Sequence, residues 1–313
     1  ALSFVLGYDK VSASYEAAAA KYGVTNNIPL KNSDMLDMQN AYILIKNAVN
    51  ADIAVQTGFG KKPQYKVLSD ETVLSENLHI YNDTGVVFGV YETALTNDVS
   101  GLKRDEVQID GKVYKCGLKG MFNLLGMSAD FYYHDNGSEK TVLYAAPESG
   151  VNKILNITAD DISSESTKTK IVYSPDGDTK DKTAKISSSA DMLYNGRSCG
   201  FDISKLHLGD AKITLISNDG DSVYDVVSVK KYDNYFVERV SAPDFTVHGK
   251  YKTDTALVLE KSSDEDEIFV VRAGSYTTAD KIKPNDILSV ESSVGSDGVK
   301  RTAVWISNDK VTG

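Results

Sequence analysis

Arginine is scarce in this chain of 313 residues: it occurs five times, at 104, 197, 239, 272 and 301, within a Lys-plus-Arg total of 34. Sites that grip phosphate or carboxylate favour the bidentate guanidinium fork, so the shortage argues against such a site. Positive charge is also outweighed, since 44 Asp and Glu leave a formal net charge of −10. A phosphate backbone is repelled by that balance, which excludes nucleic acid as the expected partner. The excess reads instead as solubility and as a capacity for divalent cations. No run of eighteen apolar residues is present, so no membrane span is expected. The four histidines, at 79, 134, 207 and 248, show no HExxH or HxH spacing. No GxSxG, P-loop or GxGxxG follows a strand-like segment, and the chain is not read as an enzyme. No basic leader precedes LSFVLGYDKV, which by itself decides no compartment.

The two cysteines, Cys116 and Cys199, each lie just past a turn glycine, in DGKVYKC and NGRSC. If those are equivalent positions in adjacent modules, they sit a module length apart. A disulfide needs Cα atoms within about 7 Å. Two inert, partly buried thiols are therefore expected, with a bridge as the alternative.

What the chain does contain is repetition at a spacing near eighty residues. A strand ending in a glycine turn appears as Val107–Gly111 (VQIDG), Asp191–Gly196 (DMLYNG) and Phe269–Gly274 (FVVRAG). A hairpin with an acidic, glycine-bearing tip appears as Leu125–Tyr144, Leu208–Val229 and Pro284–Ile306. Such a period points to copied supersecondary units and lowers the prior for an enzyme. The fold class expected is mainly β: tandem small β-barrel or sandwich modules preceded by a short α-helical segment. The boundaries follow as a helical segment and linker over 1–60, then β modules over 61–149, 150–230 and 231–313. Tyrosine, at 18 residues against nine Phe and one Trp, suits half-exposed strands.

In the helical segment, Val11–Tyr22 is helix-forming and stops at Gly23. Ser33 or Asp34 can cap a second helix running to about Asn50. Met38, Tyr42, Ile45 and Val49 form an apolar stripe on it, expected to bury against strands with Leu36 sealing the entry. Thr57–Pro63 reads as a linker by composition. Thr72–Tyr81 reads as a strand, and Met121–Leu125 as a single helical turn between strands.

The strongest candidate site is Ser217–Asp225 (SNDGDSVYD), where Asp219, Asp221 and Asp225 gather around Gly220. Oxygen ligands crowded on a short glycine-bearing loop suit a hard cation such as Ca²⁺. The competing reading is a solvated hairpin tip, because tight turns select the same residues. His134–Gly137, Gly295–Gly298 and the SSDEDE run over 262–267 read as turns and a solvated loop.

Two stretches resemble a known family. Tyr15–Val49 resembles the helix–loop–helix of S-layer homology modules, with an Ala-rich helix, a Gly-Val turn and a second helix ending in a small apolar run. The GYDKV opening at Gly7 and the hairpin Leu215–Val227 resemble the β regions following such modules in surface proteins of Gram-positive bacteria. The resemblance implies a secreted protein at the cell surface or cell wall, and cell-wall polysaccharide as a partner. Asp37, Met38, Gln39 and Asn40 stand where the family carries Thr-Arg-x-Glu, so no glycan-contact residue carries over. The expected function is an extracellular structural protein, a self-associating subunit of a surface layer or filament. The alternative is an adhesin or carbohydrate-binding protein presenting Tyr132, Tyr133, Tyr232 and Tyr235.

Overall fold

Alternating apolar and polar residues after position 80 become strands, and the fold is mainly β, with 49% strand and 17% helix. The computed structural model of the protein describes residues 2–28, 36–96, 101–175, 180–251, 255–260, 266–294 and 299–307. The candidate caps Ser33 and Asp34 and the turn 295–298 lie outside the described residues, as does most of the acidic run. The chain forms two compact units, one of Ala1–Asn82 with Tyr132–Thr141, the other of Asp83–Phe131 with Val142–Gly313.

The first unit begins with α1 (Leu2–Val5), α2 (Tyr15–Lys21) and α3 (Met38–Asn50). Ser14 caps α2 by accepting from the Ala17 N–H, and Asp37 caps α3 by accepting from Asn40. After α2, Gly23 adopts φ +80°. The Gly23 and Val24 N–H groups return to the Ala20 and Ala19 carbonyls, a Schellman stop that the sequence anticipated. Strands β1 (Asp52–Gly58) and β2 (Gln64–Thr72) then form an antiparallel hairpin. The stretch expected as a linker, Thr57–Pro63, is the tip of that hairpin. Thr72 ends β2 and opens α4 (Val73–Leu78) through a reciprocal capping box with Ser75. That box turns most of the expected strand Thr72–Tyr81 into helix.

A second correction concerns α3. Met38, Tyr42 and Ile45 are 89%, 68% and 55% exposed, and Leu36 is exposed too, so this stripe does not bury against strands. The neighbouring face carries the packing instead. Ala48 and Leu44 join Leu6, Tyr8, Ala18, Ala19 and Val24 in the core of this unit. Tyr8 donates its hydroxyl to the Asp52 carbonyl at 2.8 Å, and burial beside Asp52 pushes its pKa up to about 12.

Three six-stranded sheets follow, each drawn from one contiguous stretch of chain. The first holds β3 (Ile80–Val90), β4 (Thr93–Ala94), β5 (Glu106–Ile109), β6 (Lys112–Cys116), β7 (Ser128–Asp135) and β8 (Lys140–Pro147). Its order is β4-β3-β5-β6-β8-β7, and a further pairing of β3 with β7 closes it on itself. The second holds β9 (Lys153–Thr158), β10 (Lys170–Tyr173), β11 (Lys182–Tyr194), β12 (Arg197–Cys199), β13 (Lys212–Ser217) and β14 (Val223–Lys230). The third holds β15 (Asp233–Ser241), β16 (Thr246–Gly249), β17 (Glu267–Arg272), β18 (Ser275–Thr277), β19 (Ile287–Val294) and β20 (Lys300–Ser307). Of the expected tandem barrels or sandwiches, the coarser statement stands: a mainly β chain of successive sheets.

The second and third sheets share one wiring. The hairpin β13–β14 sits between antiparallel β9 and parallel β11; the hairpin β19–β20 sits between antiparallel β15 and parallel β17. Register matches as well as order. Leu215 pairs with Val227 and Ile213 with Val229, as Val290 pairs with Val304 and Leu288 with Ile306. All eight belong to their sheet's own apolar core.

A backbone bond repeats in all three sheets, from Val87 N–H to Met127, from Ala159 to Ala211 and from Val237 to Asp286. A two-residue turn repeats too, at Asp110–Gly111, Asn195–Gly196 and Ala273–Gly274, with φ positive at both residues. That is the type I′ geometry, whose twist matches flanking strands and which favours Asp-Gly and Asn-Gly. A 3₁₀ turn follows each of these hairpins, at Met121–Leu124, Ile203–His207 and Ala279–Lys281, the first where a helical turn was expected.

Candidate functional site

In a strand, residues two apart share a face. The register of the third sheet therefore places Arg301, Ala303 and Trp305 of β20 beside Glu291 and Ser293 of β19 and Phe269 of β17. The opposite face of the same strands makes the apolar core. By sequence pattern this charged face belongs in water. It is buried instead: Arg301 is 3% exposed and Glu291 1%.

Residues of the second unit from all three sheet stretches meet there. The Arg301 guanidinium donates through Nε to the Glu92 carbonyl at 2.8 Å and through Nη1 to the Asn195 carbonyl at 2.6 Å. Glu92 lies between β3 and β4 of the first sheet, and Asn195 opens the type I′ turn of the second. The guanidinium also sits 5.1 Å from the Phe269 ring centroid. Asn195 is tied further, with Nδ2 donating to the Ser292 carbonyl at 2.8 Å and Oδ1 accepting from the Lys231 N–H at 2.8 Å. Gly196 is required by two constraints. Its φ is +74°, and a Cβ there would lie 2.6 Å from the Arg301 guanidinium.

Glu291 anchors the other half of the junction. It accepts from Trp305 Nε1 at 3.1 Å, stands 3.7 Å from Lys230 Nζ and is bonded by the Tyr232 hydroxyl. Trp305 packs on Phe122, in the 3₁₀ turn between β6 and β7, with centroids 4.7 Å apart. Burial raises the Tyr232 hydroxyl far above its ordinary range, with the Glu291 charge adding to the effect. Burial also lowers the pKa of Arg301, opposed by Glu291, Glu267 and Glu92. The first and second sheets meet differently, through apolar contact of Leu95, Leu193, Ile216 and Val226 with Leu125 and Met127. Chemically, the junction is a clamp: Arg301 is satisfied by backbone carbonyls and Glu291 by the Trp305 N–H, the Tyr232 hydroxyl and Lys230, which fixes geometry at a cost in desolvation.

The sequence-derived candidate lies at the tip of the β13–β14 hairpin. Asp219 accepts from the Asp221 N–H at 3.0 Å, and Asp221 accepts from the Val223 N–H at 2.6 Å. Asp225 sits on β14 and accepts from the Asn218 N–H at 3.2 Å; burial raises its pKa, with Asp219 and Asp221 adding to the effect. Lys153 Nζ donates to the Asp221 carbonyl and to Ser222. Among the described residues, no group of three or more His, Cys, Asp or Glu is arranged to hold a metal ion. Cys116 and Cys199 are free thiols, so the alternative of a bridge is not realised, and burial pushes both thiol pKa values up.

The tyrosines offered for ligand presentation divide. Tyr235 is buried in the third core and Tyr232 is engaged by Glu291, while Tyr133 stacks on Tyr81 at 5.7 Å. Glu92 and Glu291 were not singled out in the sequence; Asn195 stood in the DMLYNG turn, and Arg301 was one of five arginines, neither with a role assigned. Neither a protein-family model nor a curated protein matches this chain.

Proposed function

We propose that this chain is an extracellular structural protein, a subunit that associates with its own copies into a layer or filament on a bacterial surface. The observation that carries the reading is one sheet plan used repeatedly, with its copies clamped through buried, hydrogen-bonded charges at Arg301 and Glu291. Such a clamp suits a part that must hold its shape under load. The uncovered stripe Met38, Tyr42 and Ile45 supports self-association, because contiguous exposed apolar surface favours contact between copies. The resemblance of Tyr15–Val49 to S-layer homology modules supports a cell-surface location and a wall-polysaccharide partner.

Electron microscopy and sedimentation of the purified protein, with and without Ca²⁺, test the proposal. Ordered arrays or filaments are expected. A monodisperse monomer under every condition refutes it. The contrast with and without Ca²⁺ also reports on Asp219, Asp221 and Asp225.

A further inference from the structure

The uncovered face of α3 has the spacing of a helix-pairing seam. Met38, Tyr42, Ile45 and Val49 follow one another at intervals of four, three and four residues. That is the a and d rhythm of a coiled coil, narrower than the stripe a helix lays on a globular core. The core of this unit is served by a different face, through Leu44 and Ala48. Met38, Tyr42 and Ile45 are exposed and Val49 is half-buried. Asp37 caps the helix, and Leu44 and Ala48 anchor it, so the seam is presented already folded. A partner helix meeting it costs only the ordering of side chains.

Charge selects the partner. The chain carries 44 acidic against 34 basic residues, so two copies repel over most of their surface. Over 36–50 there is one of each, Asp37 and Lys46, and the seam itself is uncharged. A second copy of this chain therefore meets least repulsion at this face, and its own seam buries apolar surface against it. Direction follows from size and sign. An antiparallel pair about an axis between 42 and 45 sets Met38 against Val49 and Tyr42 against Ile45, large against small. It also opposes the helix dipoles and brings Lys46 of each copy to the half that holds Asp37 of the other. A parallel pair would set Tyr42 on Tyr42 and Lys46 beside Lys46.

We infer that the Met38–Val49 face of α3 binds the same face of a second copy, antiparallel, about a twofold axis between Tyr42 and Ile45. The inference rests on the self-association proposed above and names the surface it uses. A helix of 13 residues is about 20 Å long, so the pair covers less than the roughly 1,200 Å² of a standard complex and is weak in isolation. In a layer each copy is held by further contacts, and there a weak pair suffices.

Disulfide trapping of the full chain tests it. Positions 38 and 49 lie about 16 Å apart along one helix, beyond the roughly 7 Å a disulfide spans, yet they face each other across the antiparallel seam. Under mild oxidation of concentrated protein, the Met38→Cys, Val49→Cys double variant is expected to form a covalent dimer. Neither single variant should exceed the wild type, whose free Cys116 and Cys199 set the background. A double variant that bridges no faster than wild type overturns the inference, and so does a single variant that bridges as fast as the double. Tyr42→Gln combined with Ile45→Gln, at exposed positions, should keep the unfolding midpoint and weaken dimerisation at least tenfold in sedimentation equilibrium. Unchanged dimerisation overturns the inference. The two readings fail separately. Ordered arrays that survive in the Gln variant leave self-association standing and overturn the seam, whereas trapped dimers with no arrays in the wild type keep the seam and overturn the layer.

Discussion

Replacing the turn glycines one at a time separates backbone strain from disturbance of the junction. Gly111, Gly196 and Gly274 occupy the same position of three type I′ turns, with φ of +75°, +74° and +72°. Alanine at such a φ costs about 1–2 kcal/mol, offset by about 0.4–1 kcal/mol from stiffening the unfolded chain. For Gly111→Ala nothing lies within 4 Å of the new Cβ, and for Gly274→Ala the nearest atoms are at 4.0 Å. Each of these two variants should therefore lose about 0–1.6 kcal/mol.

Gly196→Ala differs because its Cβ would meet the guanidinium carbon of Arg301 at 2.6 Å. A flexible side-chain end can usually swing aside at little cost. Here the end is buried and bound to the Glu92 and Asn195 carbonyls, so swinging aside breaks a charged hydrogen bond worth about 1.5–3 kcal/mol. The expected loss is thus larger than that of its two counterparts by about 1.5–3 kcal/mol. Urea unfolding of the three variants, read as midpoint shifts at constant slope, measures the difference. Equal losses in all three, within about 0.5 kcal/mol, would show that Arg301 is not held as described.

Three further outcomes are expected. Burial holds the Glu92 carboxyl above the usual carboxylate range, so the native state binds that proton more tightly than the unfolded chain. Its contribution is present below the ordinary glutamate pKa of about 4.3 and is lost as pH rises through the folded value. Relative to Glu92→Gln, the wild-type unfolding midpoint should fall as pH rises from about 4.3 to the folded value and stay level above it; parallel profiles would refute this. Trp305→Phe keeps the ring against Phe122 but removes the donor to Glu291, and should cost about 1.5–3 kcal/mol by chemical denaturation, with no loss refuting the bond. Tyr42→Gln and Ile45→Gln should each change stability by less than about 0.5 kcal/mol, whereas Leu6→Ala in the core of the same unit should cost about 2–5 kcal/mol; a large loss at 42 or 45 would show that the stripe is packed.

The repeated turns were legible because type I′ geometry selects Asp-Gly and Asn-Gly, and two of the three carry those pairs. The third, Ala273–Gly274, carries no such signature at its first position and was found only by its spacing from the others. The Schellman stop at Gly23 was legible for the same local reason. Thr72–Tyr81 misled because β-branched residues favour strand on average, while the capping box between Thr72 and Ser75 decided for helix. The stripe on α3 misled because helical spacing identifies an apolar face without saying what covers it. Asp219, Asp221 and Asp225 were legible as a cluster, but that one oxygen of each accepts an N–H of the loop, from Asp221, Val223 and Asn218, became visible only once the loop was folded.

Order along the chain, the glycine turns, and which residues of each strand share a face were determined by local rules of sequence alone, because they depend on neighbours a few positions apart. Which of the two faces meets water was decided only by the tertiary structure. Arg301, Glu291 and Trp305 alternate with Val304, Ile306 and Val290 in the usual pattern of a half-wet sheet, yet both sides of β20 are buried over 301–304. The reason is that Arg301 finds its acceptors at Glu92 and Asn195, 209 and 106 positions away, and a charge leaves water only where such distant partners converge.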